Sequence, residues 1–103
     1  MIYKVTAKFL DSKAGEFFQK LKDGSIQNQK PDGPEMVDSM RRAYIQESGL
    51  IMWSELCYCN PPLAHERSTV LDNYFTGIVT ESIDGYEEYE GDSFWNYLVD
   101  KSK

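Results

Sequence analysis

The run Leu50 to Cys59, "LIMWSELCYC", constrains the fold more than any other part of the chain. At strand period Ile51, Trp53, Cys57 and Cys59 share one face, while Leu50, Met52, Leu56 and Tyr58 share the other. A strand that is apolar on both faces belongs inside a sheet, covered by helices on both sides or by helices on one and a partner subunit on the other. Asn60-Pro61-Pro62 must end it, because neither proline has a backbone N–H to give to a ladder.

The rest of the chain supplies flanking elements. Tyr3, Val5, Ala7 and Phe9 alternate with Lys4, Thr6 and Lys8, which predicts a strand with one buried face. Asp11 or Ser12 is then placed to cap a helix carrying Ala14, Phe17, Phe18 and Leu21 on one stripe, with Asp23-Gly24 as its stop. Ile26 to Gln29 is expected as a short edge strand. Asp32-Gly33-Pro34 opens a second helix with Met36, Val37, Met40 and Tyr44 on one face, ending near Ala43. Glu47-Ser48-Gly49 turns a hairpin into the central strand.

Beyond the prolines, Val70, Leu71, Tyr74 and Phe75 suit a helical face, but the Thr, Val and Ile content and the pairs Asp72-Asn73 and Thr76-Gly77 suit strands with turns. Strands are the expectation for Arg67 to Phe75. A short helical turn is expected at Tyr86 and Tyr89, and Asp92 or Ser93 caps a last helix with Phe94, Trp95, Leu98 and Val99 on its buried side. The order predicts one α+β domain over residues 1–103, a two-layer sandwich. Its mostly antiparallel sheet has four to five strands, with two or three helices on one face, and a ferredoxin-like arrangement is one candidate. A sheet face short of helices predicts a homodimer.

Charge and composition narrow the function. Seventeen acidic against eleven basic residues, net -6, disfavour nucleic acid as a partner. Arg41-Arg42 reads as a solvated helix face rather than a basic stripe. No stretch approaches the ~18 apolar residues of a membrane helix, and "MIYKVTAKFL" alternates where a secretory signal is continuously apolar, so a cytoplasmic protein with reduced thiols is expected. The acids from Glu81 to Asp92 lack the order of a calcium-binding loop, and neither a glycine-rich phosphate loop nor G-x-S-x-G occurs. These absences favour a binding or accessory module without cofactor or catalytic chemistry of its own, taking a small-molecule or protein ligand.

Both cysteines and the single histidine lie between Cys57 and His65. The simplest reading packs Cys57 and Cys59 as small buried hydrophobes beside Trp53, with His65 on a loop. A sharper one makes Cys57, Cys59 and His65 zinc ligands, with Glu55 or Glu66 as the fourth, although an extended Cys-x-Cys spreads its sulfurs apart. A third makes Cys59 a thiolate activated by His65, in a thiol-dependent enzyme. Glu55 falls between Trp53 and Cys57, and pairing with Arg41, Arg42 or Arg67, or exposure at the sheet end, is expected to relieve it. If a pocket exists, its expected lining is Trp53, Glu55, Cys57, Cys59, His65, Glu66 and Arg67.

Overall fold

Alternation in the first ten residues becomes strand β1 (Ile2–Phe9) in the computed structural model, which describes residues 1–103. Val5, Ala7 and Phe9 point inward, while Lys4 and Lys8 stay on the other face. A single 3-10 turn at Asp11–Lys13 leads into α1 (Ala14–Lys22), which buries Ala14, Phe17, Phe18 and Leu21. Neither Asp11 nor Ser12 caps it, because that turn carries the chain into the helix. Helix α2 (Gly33–Arg42) follows with Pro34 in its first turn and Met36, Val37 and Met40 buried.

Strand β2 (Tyr44–Ile45) turns through Gln46 to Leu50 into β3 (Ile51–Leu56), the anticipated hairpin, and so Tyr44 lies in a strand rather than on α2. The helical segment α3 runs from Ala64 to Tyr74, with a π-helical stretch at Arg67–Leu71 in its middle. Strand β4 (Phe75–Ile83), the two-residue β5 (Asp92–Ser93) and α4 (Phe94–Lys101) complete the chain. Ser93 Oγ accepts from Asn96 N and caps α4 as the sequence suggests.

The five strands form one antiparallel sheet in the order β4-β1-β3-β2-β5, with β3 at its centre. All four helices contribute to one core on one face of this sheet: Phe17 and Leu21, Met36 and Met40, Leu71 and Tyr74, and Phe94 and Leu98 meet Val5, Ala7, Ile51, Trp53 and Phe75. The chain is thus an α+β fold with a five-stranded antiparallel sheet. No helix is long and apolar enough to cross a membrane.

Three local expectations are corrected. Ile26 to Gln29 forms hydrogen-bonded turns rather than an edge strand, since the buried Ile26 side chain anchors a compact loop between α1 and α2. Gly33 seals this loop, for a Cβ there would collide with the carbonyl oxygen of Ile26. Arg67 to Tyr74 is helical rather than extended, because burying Val70, Leu71 and Tyr74 together requires the helical stripe. Tyr86 and Tyr89 lie on a strap without helical structure rather than a helical turn, tied to the sheet edge through Glu35 and Ser54.

Candidate functional site

Where β3 ends, the chain does not stay flat. Cys57 N still donates to Met1 O, extending the β1–β3 ladder, but two residues later Cys59 N donates to Cys57 Sγ at 3.1 Å, so the backbone curls around that sulfur. This curl overcomes the spreading expected of an extended Cys-x-Cys. Leu63, buried and at φ 62°, then takes the left-handed conformation that few leucines adopt. Helix α3 starts directly after it, and its first turn carries Glu66 back over the two cysteines.

Glu66 is wholly buried, and Cys59 Sγ donates to its Oε1 at 3.3 Å. Cys57 Sγ, Cys59 Sγ and a Glu66 oxygen all lie within 4.8 Å of one another. A second group with the same spacing joins Asp32, His65 and Glu66, in which His65 Nδ1 hydrogen-bonds Asp32 Oδ2 at 2.6 Å. Asp32 arrives from the turn before α2. Together with Pro31, Glu35 and Leu56 to Cys59, Asp32 and Glu66 line a cleft of about 380 Å³.

Glu55 sits on the core side of β3, completely buried, with Oε1 accepting from the Trp53 indole N–H at 2.8 Å. Burial holds its carboxyl well above the ordinary range; the indole bond opposes this, and Glu66, Glu35 and Asp32 add to it. The Cys57 thiol is pushed up to about 12, chiefly by burial and next by Glu66, which leaves it protonated and a poor nucleophile at neutral pH. The His65 imidazole is held above its usual value by its hydrogen bond to Asp32 and by that carboxylate's charge.

Three carboxylate oxygens here have no hydrogen-bond partner in the protein: Glu55 Oε2, Glu66 Oε2 and Asp32 Oδ1. Buried acceptors left unpaired are rare because each has lost its water without compensation. Glu35 differs. Its Oε2 accepts from Leu56 N at 2.8 Å, Tyr86 Oη at 2.8 Å and Arg42 at 3.1 Å.

The expected pocket is therefore corrected in part. Glu66 meets Cys57 and Cys59 in one group and His65 in another, and His65 is not grouped with the cysteines. Trp53 is sealed in the core, away from the cleft wall, and serves the site only through Glu55. Arg67 is turned outward onto Asp72 at 3.2 Å, since the residue after Glu66 lies about 100° further round the helix and faces solvent. No arginine pairs with Glu55: Arg41 stacks over Trp95, Arg42 binds Glu35, and Arg67 has Asp72. Asp32 and Glu35 were not anticipated here, since nothing in the local sequence links the entrance of α2 to a segment some twenty-five residues later.

No family model, curated protein or solved structure gives a significant match to this chain. What the site can do must come from its donors. Two sulfurs, an imidazole and several carboxylates, with unpaired buried oxygens among them, have the chemistry of a divalent metal site. Zinc–sulfur bonds of about 2.3 Å and zinc–oxygen bonds of about 2.0–2.2 Å put tetrahedral donors roughly 3.5–3.8 Å apart. The donors here, within 4.8 Å of one another, are set up to about 1 Å wider than that.

Proposed function

We propose that the protein is a metal-binding module whose site is Cys57, Cys59 and Glu66, taking zinc or a similarly thiophilic divalent ion. The observation that carries this reading is Glu66, wholly buried, with Oε2 unpaired and the carboxylate against both sulfurs. A bound dication supplies what that carboxylate lacks. Three protein donors leave a fourth coordination position open toward the cleft, as in zinc sites that exchange a water or ligand. The thiol-enzyme alternative has less support, since Cys59 Sγ is bonded to Glu66 and His65 Nδ1 to Asp32, so no imidazole hydrogen bond reaches Cys59.

The proposed role is that of an accessory module rather than an enzyme in its own right. The β4-β1-β3-β2 order supports a ferredoxin-like description of the core, in which the outer sheet face stays open. On that face Val79 is 63% exposed, and pairing with a second copy remains part of the proposal. A native mass spectrum recorded with zinc, then with a chelator, reads metal and subunit count together. One zinc-sized mass increment or more that the chelator removes is expected; protein that stays metal-free in excess zinc would refute the reading.

A further inference from the structure

We infer that Glu66 bridges two divalent cations, one held by Cys57 and Cys59 and the other by Asp32 and His65. This rests on the metal-binding reading of the sulfur site and extends it to a second ion. The two donor groups, Cys57–Cys59–Glu66 and Asp32–His65–Glu66, each fit within 4.8 Å and share only Glu66. A carboxylate has two oxygens, and the structure uses them unequally: Oε1 accepts from Cys59, while Oε2 is buried and unpaired. Asp32 Oδ1 is buried and unpaired as well, although its Oδ2 holds His65. The second group thus has its own unsatisfied acceptor, independent of the sulfurs. In two-metal sites a shared ligand spans ions about 3.5–4 Å apart, a distance that one carboxylate covers.

Charge points the same way. Two thiolates with the carboxylates of Glu66 and Asp32 carry four negative charges; one dication together with a protonated His65 on Asp32 offsets three of them, whereas two dications offset all four beside a wholly buried Glu66. Of the neighbouring carboxylates, Glu35 is paired with Arg42 and so takes no part in this balance. Arg67 is paired elsewhere. The two positions also differ in kind. Sulfur donors select a soft ion, whereas the Asp32, His65 and Glu66 set of oxygen and nitrogen donors accepts harder ones, and the 42%-exposed His65 side chain puts the second ion within reach of solvent.

Zinc titration of the metal-free protein, counted by native mass spectrometry, tests this. Two ions per chain are expected. Asp32→Asn, which keeps the side-chain shape, and His65→Ala, at a half-exposed position, should each reduce the count to one. Both variants should keep the thiolate-to-metal charge-transfer absorption that cobalt(II) gives at the sulfur site. Cys57→Ser with Cys59→Ser should abolish that absorption. A wild-type count of one, with the cobalt absorption present, would overturn the second ion and leave the sulfur site standing. A count of two unchanged in both Asp32→Asn and His65→Ala would also overturn it. A count of zero would remove the sulfur site too, so failure of the bridge and failure of the underlying reading are told apart.

Discussion

Glu66 shows how a single residue can carry chemistry that its neighbours in sequence conceal. In "HER" it reads as one polar loop residue among three; in the fold it is the only one of the three that is wholly buried. The sequence does name the donors Cys57, Cys59, His65 and Glu66, because residue type is legible without coordinates. It does not show that Leu63 turns left-handed and brings Glu66 back onto the sulfurs, since leucine gives no sign of a positive φ. Glu66→Gln keeps size and removes charge, and it is expected to weaken zinc binding by more than the roughly 10–100-fold that follows loss of an outer hydrogen-bond partner; competition with a chelating dye would measure it. A second residue-scale expectation lies on the far side of the core, where Tyr74 Oη donates to Glu16 Oε2 at 2.6 Å. Burial, then this bond, raises the Tyr74 phenol, while the bond lowers the Glu16 carboxyl. The raised phenol stabilises the fold below its unfolded value near 10 and loses that contribution as pH climbs through the higher folded value. The lowered carboxyl contributes above its unfolded value of 4.5 and loses that contribution as pH falls through the folded one. Tyr74→Phe should therefore destabilise by a constant amount between about pH 5 and pH 10 and by less at either extreme. Urea unfolding across pH would show this, and a pH-independent difference would contradict it.

Among the elements, those with a clean period were legible and those with a broken one were not. β1 alternates strictly and α1 carries a full stripe, so both follow from the sequence. β4 contains a bulge, where the pairing with β1 shifts between Thr6 and Lys8 and Gly77 takes φ 61°. The shift leaves Val79 outside while Phe75 is inside, which blurs the strand period and, with it, the boundary with α3. The edge of β3 beyond the short β2 was also invisible, because side chains rather than a strand complete it: Leu56 N donates to Glu35, and Ser54 O accepts from Arg42. The strap from Asp84 to Gly91 hangs on the same pair, through Tyr86 Oη to Glu35 and the Tyr86 ring under Arg42. Glu35→Ala is expected to cost about 1–3 kcal/mol, chiefly the penalty of leaving the part-buried Leu56 N–H unpaired. It should also speed amide exchange along the strap. Exchange unaltered there, with stability unchanged, would show that Glu35 does not hold this edge together.

At the scale of the whole molecule, one aromatic cluster joins the two layers. Phe75 packs against Phe9, Phe17, Trp53 and Phe94 at ring separations of 5.2–6.0 Å, drawing on β1, α1, β3 and α4. Phe75→Ala should destabilise by about 3–5 kcal/mol, a large share of the 5–15 kcal/mol typical of a domain, and denaturant unfolding would measure it. The α+β class and the central position of β3 were legible because a strand apolar on both faces has few other places to go. The site was legible only as a list of donors, since Asp32 reaches it through the turn into α2 and Glu66 through the turn into α3. Its chemistry is tested most directly by titrating the metal-free protein with cobalt(II) and following near-ultraviolet absorption. A thiolate-to-cobalt charge-transfer band that saturates with added metal and is lost when Cys57→Ser and Cys59→Ser are combined is the expected result. A folded protein that gives no such band in excess cobalt would contradict metal binding by Cys57 and Cys59.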